Sequence, residues 1–374
     1  MILSSRTSII ASAIIVVLVF SGVGSYIFLT NQYNPPDIAV VVVAPGFGDL
    51  SMVDQVDLGL QELAGELVVN YAYFTATGES DAQTILEQLA SSGTYDLIIV
   101  IGEELADEIS AVASAHASQK FAFIGGSVSA ANVISATFTQ QEAAFLAGAF
   151  AAYMSVGDAD KSGVVGIIGS VGTSLTVQSL IAGFKQGLVY ANATDNLNVT
   201  LLPEVYVGSY NDTETARILA QNMFNPYYPN GNATVIFAPV RASIMGIREA
   251  MIYANQTWFS ETENRKPFVI AAEGNQDFLG LPDISTRVGY SWVLTSVIPR
   301  SDIAVYHIIN ATMWDDFPTL QAESPIVYDL ANGGVNITGG FRDNAWLPSG
   351  LLDTISDYAT MITNGTIVVE DTWP

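Results

Sequence analysis

The sequence predicts an α/β protein. Two Rossmann-like lobes face each other across an interlobe cleft, joined by a hinge and preceded by one N-terminal transmembrane helix. Three observations carry this. Short β-branched runs alternate with helical stretches along most of the 374 residues. The alternation restarts after a helix, at about 140–154, that is apolar on nearly every side. Finally, residues 9–29 carry no charge, and about 20 apolar residues suffice to cross a bilayer core.

The N-terminal segment comes first. Arg6 precedes the apolar run and Asp37 follows it, which puts residues 1–8 in the cytoplasm and the folded body outside. A cleaved signal peptide is the alternative. The run is longer than a typical h-region of ~7–15 residues and no A-x-A site follows it, which favours an uncleaved signal anchor. Residues 30–37 are a polar linker. Residues 38–43 then form a continuous apolar run, as expected of a strand covered on both faces. A helix over 51–65 puts Val53, Val56, Leu60 and Leu63 on one side. Strands over 67–74, 97–101, 121–124 and 133–137 alternate with helices near 80–91 and 103–115. This βαβ alternation means a parallel sheet with helices on both faces.

The helix near 140–154 is short for a membrane span, so its nearly uniform apolarity predicts burial between layers where the chain crosses from one lobe to the other. The second lobe repeats the pattern. Its expected strands are 163–168, 201–207, 235–238, 268–272 and a return strand over 288–294. Its expected helices are 174–190, 213–224 and 242–254. A helix over 300–313 goes back to the first lobe, followed by strand-like 325–338, a helix over 350–363 and a last apolar run at 367–369. The layout resembles a type I periplasmic-binding-protein fold, with 38–138 and 296–370 as lobe 1 and 139–295 as lobe 2. The hinge is expected near 137–141, 270–274 and 295–299. Ligands of open α/β sheets bind beyond the carboxyl ends of the strands. Those ends are the loops at 44–51, 102–104, 125–129, 169–174, 208–212, 239–244 and 273–277.

Composition excludes several functions. The formal charge is −25 with only 12 Lys and Arg, a surface that repels nucleic-acid phosphates. There is no cysteine and there are only two histidines, His116 and His307, both in expected helices away from the cleft loops. No metal centre, thiol nucleophile or Ser-His-Asp triad is expected. Gly166 to Gly172 is neither a G-x-G-x-x-G loop nor a P-loop, so no cofactor is expected and the chain is not read as an enzyme. Eight N-x-T sequons, at Asn192, Asn198, Asn211, Asn232, Asn255, Asn310, Asn336 and Asn364, suggest a glycosylated body on the extracellular face of the plasma membrane.

Several segments carry a resemblance. Phe138 to Met154 contains an F-x-x-x-E-A-A-F-L-A-G-x-x-A-like run. Ala44 to Leu60 matches a D-x-S-F-N loop at Asp49, Ser51, Gly59 and Leu60, with Met52 for Phe and Val53 for Asn. Gly183-Phe184-Lys185-Gln186-Gly187 matches G-F-x-x-G, Val207 to Asp212 matches V-G-S-F-x-D, and Leu294 to Val297 matches L-T-S-V. Over about 38–370 the chain resembles the basic membrane protein (BMP) family, nucleoside-type substrate-binding proteins of ABC transporters. The resemblance implies an extracytoplasmic receptor that captures a small polar ligand such as a nucleoside and hands it to a permease with separate ATPase subunits. A surface sensor or envelope scaffold without transport is the rival.

The resemblance also implies ligand-binding positions. Asp49 and Ser51 stand in the first loop. Tyr210 is the aromatic of the V-G-S-F match. Glu273, Asn275 and Gln276 stand where the family writes D-x-D-Q. Arg241 replaces a glycine of the family's A-A-G-G-T-G turn, at a strand's carboxyl end. Its guanidinium suits a carboxylate or phosphate; pairing with a neighbouring Asp or Glu is the other reading. Glu273 could accept two hydroxyls or be a solvated loop acid. Phe47 is a candidate for stacking on a ring.

Overall fold

The computed structural model describes residues 35–66, 69–262, 264–339 and 346–374. The expected span at 9–29 lies outside them. Among the described residues no helix is long and apolar enough to cross a membrane.

The first lobe is built from β1 (Asp37–Val43), α1 (Met52–Glu66), β2 (Asn70–Ala76), α2 (Glu79–Ser92), β3 (Leu97–Ile101), α3 (Ala106–Ala115), β4 (Phe121–Ile124) and β5 (Val133–Phe138). The second holds α4 (Gln140–Ser155), β6 (Val164–Gly169), α5 (Leu175–Asp195), β7 (Thr200–Leu201), β8 (Val205–Tyr206), α6 (Thr213–Phe224), β9 (Val235–Ala238), α7 (Ile244–Thr257), β10 (Phe268–Ala272) and β11 (Val293–Pro299). Then come α8 (Ser301–Met313), α9 (Phe317–Gln321), β12 (Ile326–Tyr328), β13 (Val335–Ile337) and α10 (Leu351–Thr363). One sheet runs β12-β5-β4-β3-β1-β2 and the other β13-β11-β10-β9-β6-β7, with β8 beside β6. The first sheet is parallel throughout, and β13 joins the second antiparallel to β11.

The chain passes between the sheets three times, after β5, after β11 and between β12 and β13. The stretch 270–274 is therefore no crossover, because β10 and the loop after it stay within the second lobe. Residues 329–334 take that place. The tail also divides. Sequence order assigns 296–370 to the first lobe, yet β13 pairs with β11, and Ile355, Tyr358, Ile362, Ile367 and Val369 pack into the core around α4. Residues 367–369 form no strand and contribute apolar side chains alone. The expected strand at 201–207 splits into β7 and β8 around Pro203, which cannot donate to a ladder. The return strand begins at Val293, later than expected, because 281–291 is a loop pinned by hydrogen bonds around Asp283 and Ser291.

Each sheet is covered on both faces. α1 and α8 pack on one side of the first sheet, with Val56, Leu60, Val305 and Ile308 buried, and α2 and α3 close the other. α6 and α7 cover one face of the second sheet and α4, α5 and α10 the other. α4 is buried along nearly its whole length, as expected of an apolar helix at a crossing point. It can lie against α5 only because three glycines stand at the contact. A Cβ on Gly148 would sit 1.9 Å from the Phe184 carbonyl oxygen, on Gly183 2.1 Å from that of Gln141, and on Gly187 1.8 Å from that of Phe145. The G-F-x-x-G motif is thus a packing motif.

Candidate functional site

The carboxyl ends of both sheets face one another. From the first lobe, the turn after β1 brings Asp49 and Ser51, and the turn after β3 brings Glu103 and Glu104. From the second, the turn after β8 brings Tyr210, the turn after β9 brings Arg241, and the turn after β10 brings Glu273 and Gln276. A cavity of about 190 Å³ is lined by Asp49, Ser51, Met52, Glu104, Tyr210 and Arg241, among others. A second space of about 30 Å³, between Arg241, Glu273, Gln140 and Glu103, continues it toward the crossover. That volume holds about one or two waters.

Arg241 is the centre of this arrangement. It is 8% exposed, its Nε donates to Glu273 Oε2 at 2.6 Å, and its guanidinium lies 4.2 Å from the centre of the Tyr210 ring. Burial alone would lower its pKa, but Glu273, Glu104 and Tyr210 outweigh burial and raise it, so the cation is permanent. The pairing with a neighbouring acid, one of the two readings of the sequence, is present in the structure. Glu273 is 1% exposed, not a solvated loop acid, and its Oε1 has no partner among the described residues. Arg241 and Glu273 both adopt left-handed backbone, φ 49° and 68°. At Arg241, which stands at a glycine of the resembling turn, a glycine would take that conformation without strain.

Gln276 ties the lobes together. It is fully buried, and its Nε2 donates to the Leu50 carbonyl of the first lobe at 2.8 Å. Its backbone N–H donates to Ser296 Oγ at 3.0 Å. Its Oε1 and Ser170 Oγ are buried without partners among the described residues, like Glu273 Oε1. Asp49 accepts from the Ser51 N–H at 2.9 Å, and Asp54 accepts from the N–H groups of Gly48 and Leu50, which fixes the loop. Two expected residues are not brought in. Phe47 packs on Tyr73, ring centres 4.2 Å apart, at the edge strand β2. Asn275 is exposed, and its Oδ1 accepts from the Asp277 N–H at 3.3 Å.

Glu103 was not singled out in the sequence, although its loop was. It reaches across the cleft to the start of α5. Its Oε1 accepts from Ser174 Oγ at 2.8 Å and the Thr176 N–H at 3.4 Å, and its Oε2 from Thr176 Oγ1 at 2.8 Å. A carboxylate at a helix N-terminus is favoured by the dipole and the unpaired N–H groups. Here the other lobe supplies it. Glu103→Ala should therefore shift the population toward an open form. Small-angle scattering should show a larger radius of gyration, and an unchanged profile would remove Glu103 as an interlobe tie.

Asp49 is 2% exposed, and burial pushes its pKa up to about 6, with Ser51 and Arg241 opposing. The folded protein then holds this proton where the unfolded chain has released it. The sign is fixed: Asp49's contribution to stability is lost as pH rises from about 4 to above 6. Asp49→Asn should flatten that part of the stability profile. Thermal melts of the two proteins that fall in parallel across the window would refute the assignment. Glu104 reaches solvent at the cavity rim; protein packed about its carboxyl raises its pKa and Arg241 opposes this. Among the described residues no three His, Asp or Glu side chains are grouped to hold a metal ion.

The comparisons agree with this architecture. The family model for PnrA-like ABC transporter substrate-binding proteins, Bmp, matches residues 37–372. The nucleoside-binding protein BmpA of an ABC transporter from Lactococcus lactis is 28% identical over 336 residues, 88% of each chain. An uncharacterized lipoprotein of Pyrococcus abyssi is 26% identical over 73% of this chain and 62% of its own length. Among solved structures, an ABC-system solute-binding protein from Aeropyrum pernix superposes with a TM-score of 0.72 at 20% identity, covering 90% of this chain and 94% of that one. Another, from Conexibacter woesei, gives 0.66 at 15% identity over 91% of this chain and 100% of that one. With the family model spanning both lobes, this chain belongs to the basic membrane protein family of ABC-transporter substrate-binding proteins.

Proposed function

We propose that the protein closes its two lobes around an uncharged, hydroxyl-bearing ligand such as a nucleoside and presents it to a permease served by separate ATPase subunits. The observation that carries this is Glu273 Oε1, a buried carboxylate oxygen at the meeting of the lobes without a partner among the described residues. A ligand hydroxyl donating to it would relieve a desolvation cost of about 1–3 kcal/mol. Asp49, Glu104 and Glu273 outnumber Arg241, so a phosphate would meet net repulsion and a nucleoside is favoured over a nucleotide. The relative from L. lactis is named for nucleoside binding. Closure excludes water and strengthens these contacts. The three crossovers are where the chain would flex.

The same reading places residues 9–29 in the membrane as an uncleaved anchor, with the lobes outside. Asn198, Asn211, Asn336 and Asn364 are exposed and open to glycan, whereas Asn192, Asn232, Asn255 and Asn310 are partly covered. The test is mass spectrometry of ligand released from the purified protein, followed by calorimetry with adenosine and uridine. Absence of any released hydroxylated ligand, with no heat from either nucleoside, would reject it. One observation favours a sensor or scaffold instead. The space beside the Arg241–Glu273 pair is only about 30 Å³, so that pair fills much of the gap.

A further inference from the structure

A second cavity at the meeting of the lobes is larger than the one around Arg241. It has a volume of about 460 Å³ and lies against the crossover from β5 into α4, the start of α5, and the tail at Asp371. Its size falls in the range of small-molecule sites, about 300–1,000 Å³. We infer that it is a second ligand site, for a neutral saccharide.

Three features point to that chemistry. The polar lining is hydroxyl and amide: Thr137 and Gln140 from the crossover, Thr176 and Gln178 from α5. Phe138 and Leu175 supply an apolar flank, and Leu175 is 71% exposed. Among the described residues no Lys or Arg lines the cavity, while Glu103 and Asp371 do, so an anion is disfavoured. The second and independent observation is Gln140. It is 6% exposed, it lines this cavity and the narrow gap beside Glu273, and its Oε1 has no partner among the described residues. A buried amide oxygen of this kind costs about 1–3 kcal/mol until a donor reaches it. A sugar offers hydroxyl donors on its rim and C–H faces for Phe138 and Leu175. Glu103 is already committed to α5 and does not compete.

Because Gln140 opens α4 immediately after the crossover, a saccharide there touches both lobes and favours the closed arrangement. By reciprocity it would raise affinity in the Arg241 pocket as well.

The experiment is calorimetry of the full chain in detergent with D-glucose, maltose and D-glucuronate, alone and with saturating adenosine. Glucose or maltose should bind with a dissociation constant of about 1 mM or tighter, and glucuronate at least tenfold more weakly, by roughly the worth of one charged contact. Saturating adenosine should not displace the sugar. Gln140→Leu should weaken sugar binding about tenfold while the melting temperature holds or rises, since it removes an unpaired acceptor. Gln178→Trp, at an exposed position on the rim, should block it. The inference is overturned if neither neutral sugar binds, if glucuronate binds as well as glucose, if adenosine competes, or if both variants bind as the parent does. A protein that binds sugar but not adenosine keeps this site and loses the nucleoside reading.

Discussion

Gly187→Ala is expected to lower the melting temperature by roughly 4 °C, corresponding to a loss of about 3 kcal/mol in a chain of 374 residues. Helix propensity alone predicts the opposite, a gain of about 1 kcal/mol for Gly to Ala inside a helix. Packing decides the sign. A Cβ at Gly187 would lie 1.8 Å from the Phe145 carbonyl oxygen, and that oxygen belongs to helical backbone that cannot rotate away. α4 and α5 would have to separate along a contact where Gly148 and Gly183 are equally tight. Overpacking of a core commonly costs about 1–3 kcal/mol when side chains can adjust; here backbone must shift. Gly65→Ala in α1 is the control, since a Cβ there meets nothing within 4 Å, and it should hold or raise stability. Circular-dichroism melts read both. A Gly187→Ala protein melting at or above the parent would show that the helices are not locked at that contact.

The same contact shows how much could be read from the sequence. That the segment after β5 is a buried crossing helix was legible, because nearly every residue from Ala143 to Ala152 is apolar. That Gly183 and Gly187 face it was not, since spacing alone does not say which helix approaches. The inner strands were legible for a similar reason. Val40 to Val42, Leu97 to Ile101 and Val235 to Ala238 are covered on both faces, so their apolar runs are uninterrupted. Sheet membership of the tail was not, because three-residue strands such as β13 carry no periodicity and take their place by pairing with β11. Within the site, Asp49, Ser51, Tyr210, Arg241, Glu273 and Gln276 follow from the carboxyl-end rule and the resemblance. Phe47 and Asn275 obey the same rule but turn toward β2 and toward solvent. Glu103 and Gln140 matter only because two loops distant in sequence meet across the cleft, which no local pattern encodes.

Glu273→Ala should be the most damaging single change in the cleft. It leaves the Arg241 guanidinium buried with its Nε partner gone, and breaking one half of a buried pair costs about 3–5 kcal/mol. Arg241→Gly should cost less. It relieves a left-handed backbone, strain of order 1 kcal/mol. The double variant Arg241→Gly with Glu273→Ala should recover much of the loss, because contacting groups are not additive. Binding should respond differently from stability. Glu273 supplies the free oxygen that a ligand hydroxyl would use, and Arg241 holds that carboxylate in place, so each single change should weaken nucleoside affinity at least tenfold, the worth of a charged hydrogen bond of about 1.5–3 kcal/mol. The double variant should regain stability and not affinity. Denaturant titration and calorimetry on the same four proteins separate the two. Recovery of affinity along with stability would mean that the pair serves only the fold, and the ligand would then have to be held elsewhere in the cleft.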